Sequence, residues 1–101
     1  MQFQQTLKKE YTFEGKGLHT GKVAKMTVAP APVNTGIVFV RTDISSEAVV
    51  EAVAENVYNT ARSTTISKGE ASVSTIEHIM SALTGLGIDN SYIYIDNVEV
   101  P

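Results

Sequence analysis

Polar and apolar residues alternate along 22–29. Ala24, Met26 and Val28 fall on one side, Lys25 and Thr27 on the other, the period-two signature of a half-buried strand. The same reading predicts a first strand over 3–13, a short strand over 37–41, another over 63–68 and a clear one over 91–96. Gly15, Gly17 and Gly21 make a glycine-rich turn after the first strand, and Pro30, Pro32, Asn34 and Gly36 break the chain into a loop. Residues 68–70 and Asn97 mark further turns. Residues 48–57 fit both periods: Val50, Ala52 and Ala54 alternate as in a strand, whereas Val49, Ala52, Val53 and Val57 make a helical stripe. Strand is the preferred reading there. One segment has helical period alone. Ile76, Ile79, Met80 and Leu83 fall at i, i+3, i+4 and i+7. Ser74 suits the N-cap with Glu77 three residues on, and Gly85 and Gly87 end the helix. Many strands and one late helix over about 75–85 predict an α+β fold, a two-layer sandwich of a mostly antiparallel sheet with that helix packed on it.

Composition narrows the function classes. The 101 residues make one small domain without an internal linker or repeat, and 43% hydrophobic against 19% charged residues is enough to fold. A net charge of −3 argues against general nucleic-acid binding, which needs a basic surface. Residues 1–10 are polar, unlike a signal peptide. The longest apolar runs, such as 36–40, are far too short to span a membrane. The expected setting is cytoplasmic. With no cysteine, disulfides and thiolate zinc sites are excluded.

Candidate chemistry concentrates in Ser74-Thr75-Ile76-Glu77-His78. A carboxylate next to a metal-binding imidazole can position and deprotonate a metal-bound water. The ordinary alternative is a capping box, with Ser74 on the Glu77 amide and Glu77 reaching back, worth about 1 kcal/mol. At about 100° per residue, His78 lies roughly 140° and Glu77 roughly 120° from the centre of the apolar face. Neither points into the domain's own core, so a solvated surface histidine is the alternative for His78. A catalytic zinc needs three protein ligands. His19 is the only other imidazole, Asp89 is a loop carboxylate after the helix, and no third ligand stands out.

The turn Gly15-Lys16-Gly17-Leu18-His19-Thr20-Gly21 is neither a P-loop nor a dinucleotide fingerprint, because both spacings are missing. It is either a close-approach site for a ligand or a plain turn between strands. Thr60, Ser63, Thr64 and Thr65 surround Arg62 with hydroxyls. That pattern is ordinarily a solvated strand face, although Arg62 could meet a phosphate or carboxylate.

Taken in order, Thr6-Leu7-Lys8, the Gly15–Gly21 turn, Pro30-Ala31-Pro32-Val33-Asn34-Thr35-Gly36-Ile37, Arg41-Thr42-Asp43, Ser74-Thr75-Ile76-Glu77-His78 and Gly85-Leu86-Gly87-Ile88-Asp89-Asn90 resemble the N-terminal domain of the UDP-3-O-acyl-N-acetylglucosamine deacetylases. These are the zinc hydrolases of lipid A (lipopolysaccharide) biosynthesis in Gram-negative bacteria. The resemblance implies that His78 is a zinc ligand and Glu77 the general base that deprotonates a metal-bound water. It implies that Leu18 and His19 border the substrate, with Ser63 and Thr64 near the same cleft. Arg62 departs from the apolar residue some members carry nearby, so no role is carried over to it. The implied reaction removes acetate from the UDP-acyl-glucosamine substrate.

The family's second domain supplies an H-K-x-x-D motif with the other zinc ligands, a further catalytic His and a passage for the acyl chain. None of these occurs here, and the family continues past this point into I-[ML]-D-G-S and another helix. The expectation is that residues 1–101 are a first domain without its last helix and second domain, inactive alone and prone to homodimerise. Some family members are fused to a hydroxyacyl-carrier-protein dehydratase. The competing class is a non-catalytic α+β binding module, with Glu77 as helix cap and His78 solvated.

Overall fold

In strand β2 (Val23–Pro30) the expected alternation is realised: Ala24, Met26 and Val28 are buried while Val23 and Lys25 are exposed. The computed structural model describes residues 3–59 and 63–101. Around β2, a five-stranded sheet has the order β1-β2-β8-β3-β4, with β1 Tyr11–Lys16, β3 Ile37–Arg41, β4 Val49–Glu51 and β8 Ser91–Ile95. All its pairs are antiparallel except β3 with β8. A second sheet, not anticipated from periodicity, has the order β5-β6-β7, built from Val57–Asn59, Thr64–Lys68 and Ala71–Ser74. Helix α1 spans Glu77–Gly85. The α+β class and the single main helix are thus observed.

The core lies where the two sheets and α1 meet. Phe39, Val50, Ile93 and Ile95 from the large sheet are fully buried with Ile66 and Val73 from the small one, and Ile76 and Leu83 close it from the helix side. Each such side chain contributes roughly 1.5–3 kcal/mol by leaving water. Arg41 ties the sheets together: its guanidinium donates to the Ser72 carbonyl at 2.8 Å and to both Asp43 oxygens at 2.8 and 2.7 Å.

Three boundaries differ from expectation. The first strand is displaced, because polar Lys8, Lys9 and Glu10 interrupt it. Residues 3–10 are fastened instead by isolated contacts, with Thr6 Oγ1 donating to the Asn90 carbonyl at 2.6 Å, Gln4 Nε2 donating to Asn34 Oδ1 at 2.7 Å and the Gln5 carbonyl accepting the Asp89 and Asn90 amides. Residues 48–57 are neither one strand nor a helix; β4 is followed by a 3₁₀ turn, Ala54–Asn56, and then β5. Ser74 does not cap α1. It ends β7, where its backbone pairs with residues 98–100, and the N-cap position falls to Ile76, whose side chain makes no capping bond. The helix therefore starts two residues later than expected. Its other end follows the sequence. Gly87, at φ +72°, donates to the Thr84 carbonyl and Ile88 to that of Leu83, the paired closure that a left-handed residue allows.

Candidate active-site wall

Glu77 and His78 form the first turn of α1. His78 is exposed and Glu77 half-buried, so neither enters the core. The capping-box alternative does not hold, because Glu77 turns to the small sheet: its Oε2 accepts the Thr64 amide at 3.0 Å. Burial pushes the Glu77 carboxyl up, but the hydrogen bonds from Thr64 and from its own amide, with the neighbouring His78, outweigh burial and hold it below the usual range. The positive end of α1 favours the same ionised form. Thr64 is thereby brought beside Glu77. Thr60 and Arg62 lie outside the described residues.

Immediately before the helix, Thr75 adopts φ +61°, a sparsely populated conformation for a β-branched residue. The Thr64 carbonyl accepts the Thr75 amide at 2.9 Å, and the Thr75 hydroxyl donates to Glu99 Oε2 at 2.9 Å. Glu99 in turn reaches the glycine turn. Its Oε2 accepts the His19 amide at 2.9 Å, and its Oε1 accepts the Thr20 amide at 2.7 Å. The turn closes β1 onto β2 through Gly17 and Lys22. With two of its amides aimed inward at a carboxylate of the same chain, it is no cradle for a ligand's phosphate there. Leu18 and His19 are exposed at its outer side, Leu18 at 80%.

Glu99 was not among the candidates from sequence. Only 1% of it is exposed. Burial raises its carboxyl, yet the donors from Thr20, His19 and Thr75 prevail and lower it to about 2. The signal available was a lone acid between Val98 and Val100, which reads as an ordinary exposed strand position until its neighbours are known. Asp89, by contrast, accepts the Gln5 amide at 2.8 Å and serves to pin the N-terminal segment. An open, largely apolar groove runs from His78 past Phe13, Gly15 and Met26 to Pro101 and extends between Tyr11 and Leu86.

Among the described residues, no three His, Cys, Asp or Glu side chains come together as a metal cage, and no helix is long and apolar enough to cross a membrane. The family model for LpxC, UDP-3-O-acyl N-acetylglycosamine deacetylase, matches residues 4–101. The chain belongs to this family. A UDP-3-O-acyl-N-acetylglucosamine deacetylase of Geobacter sp. (strain M21) is 58% identical over the whole chain, which covers 33% of that relative. The deacetylase of Teredinibacter turnerae is 50% identical over 97% of the chain, covering 32% of its own length. The bifunctional enzyme LpxC/FabZ of Porphyromonas gingivalis is 50% identical over the whole chain and covered to 22%. The chain thus spans about a third of the length of its LpxC deacetylase relatives.

Proposed function

We propose that this chain is the first domain of a zinc-dependent, cytoplasmic deacetylase that removes acetate from UDP-3-O-acyl-N-acetylglucosamine, and that Glu77 and His78 stand on one wall of its active site. The observation carrying this reading is the pair itself: an exposed imidazole next to an ionised carboxylate that is held by the Thr64 amide and is not used to cap its helix. The relatives' names supply the reaction.

The donor set fits one corner of a zinc site. His78 offers one imidazole ligand, and a second domain would provide the remaining two of the three ligands such a site needs. The chemistry a zinc ion supplies when bound is Lewis acidity, which brings the pKa of water to about 7 and stabilises negative charge on the amide oxygen. Glu77 then accepts a proton from the attacking water. As the C–N bond breaks, it returns that proton to the leaving glucosamine nitrogen, giving acetate and the free amine. Thr64 orients the Glu77 carboxylate, while Leu18, His19 and Ser63 border the substrate. In the isolated chain, the apolar groove beside α1 lacks a cover and a second copy takes that place.

Glu77→Gln separates this reading from a binding module. The amide retains a carbonyl acceptor for Thr64 but cannot take a proton. In the parent protein, Glu77→Gln and His78→Ala are each expected to cut deacetylation at least about 100-fold with unchanged circular dichroism. Full activity in both variants supports the non-catalytic alternative instead.

A further inference from the structure

We propose that Glu99 is a positioning residue whose buried carboxylate clamps the glycine turn to the start of α1, setting the distance between Leu18 and His19 on one side and Glu77 and His78 on the other. The proposal rests on the functional reading above and deepens it.

The geometry is that of an internal anion in a nest of donors. Three donors from two remote segments converge on one carboxylate: the amides of His19 and Thr20, and the hydroxyl of Thr75. His19 also approaches Oε1 at 3.2 Å. Among the described residues Glu99 makes no ion pair, so these donors are what compensates its buried charge. Its own backbone is fixed. Ser74 donates to the Val98 carbonyl at 2.8 Å, and Val100 donates to that of Ser74 at 3.1 Å. The turn is shaped to admit the carboxylate: a Cβ on Gly17 would sit 2.2 Å from Glu99 Oε1 and 2.8 Å from Thr20 Oγ1. At the far end, the clamp holds Thr75 in its strained conformation, one residue from Ile76 and two from Glu77. Strain kept in place by a buried charge is a means of fixing where a helix begins. A glutamine cannot replace the acid, because its amide nitrogen would face N–H donors.

Two measurements test this. In this chain, Glu99→Gln is expected to speed hydrogen exchange of the His19 and Thr20 amides at least tenfold while amides of the β2–β8 pairing keep their rates. In the parent protein, assayed on UDP-3-O-acyl-N-acetylglucosamine well below the variant's melting temperature, KM is expected to rise at least tenfold. Adding Leu18→Ala to Glu99→Gln should then cost less than threefold more, since the turn is already displaced. Unchanged exchange at His19 and Thr20 would overturn the proposal. So would a rate loss that merely tracks the folded fraction with KM constant. Should Glu99→Gln not fold, Thr75→Val removes one arm of the clamp and keeps the turn amides. It is expected to lower kcat at least threefold, and unchanged kcat and KM would count against the clamp. Glu77→Gln distinguishes the two failures: if that variant stays active the deacetylase reading fails, whereas the exchange result still judges the clamp.

Discussion

Glu99, Glu77 and Asp43 all have carboxyls held below their ordinary values, and each is held by hydrogen-bond donors that prefer the ionised form. At Asp43 the donor is Arg41; at Glu77 and Glu99 burial opposes the donors and loses. A carboxyl depressed in the folded state stabilises it fully above the unfolded value and ceases to do so as pH falls through the folded one. For Glu99 the drop from 4.5 to about 2 corresponds to about 3 kcal/mol. Stability measured by urea unfolding is therefore expected to be level down to about pH 5 and to decline from there towards pH 2. Glu99→Gln should flatten much of that decline. A wild-type profile with no loss between pH 5 and 2 would contradict the assignment of these donors. At this scale sequence reading was uneven. His78 is legible because helical period alone places it off the apolar face. Glu99 is not, because its partners lie 24, 79 and 80 residues away and no local pattern encodes them.

Between elements, the decisive contact is Arg41. It leaves the end of β3 and reaches the Ser72 carbonyl on β7, so the small sheet that carries Thr64 and leads into α1 is fastened to the large one. Arg41→Met keeps the apolar stem and removes the donors. It is expected to cost about 2 kcal/mol in thermal or urea unfolding and to return Asp43 towards its ordinary pKa. A cost below about 0.5 kcal/mol would mean the contact behaves as a solvated ion pair. Alternation makes β2, β3 and β8 readable because each buries one face or lies inside the sheet. The small sheet is harder to read. Ala71 to Ser74 is too short to show a period, and Ser74 with Glu77 spells a capping box whether or not the backbone is helical there. What decides against the cap is tertiary: residues 98–100 pair with Ser74 and extend the strand. The edge strand β1 is misplaced by sequence for a related reason. Its residues are largely exposed on both faces, so burial imposes no clean alternation.

For the whole molecule, apolar surface is distributed unevenly. Phe13 is 52% exposed and Leu86 70% exposed along the groove beside α1, on the same side as His78. Contiguous apolar surface of this kind favours association. Sedimentation velocity on the isolated chain is expected to show a concentration-dependent dimer at high micromolar to millimolar concentration, weakened by Phe13→Ser. A monomer throughout that range would show that the groove tolerates water. The α+β class and the late helix were legible because hydrophobic period reports burial. The arrangement of the turn, Glu99, Thr75 and Glu77 around one end of the fold was not, since it depends on contacts between residues far apart in the chain. Whether this end is one wall of a zinc site, as proposed, is tested most directly by anomalous diffraction at the zinc edge on crystals of the zinc-loaded parent protein. The expected result is a zinc ion with a His78 ring nitrogen at about 2.0–2.1 Å. A fully ligated zinc in which His78 takes no part would contradict it.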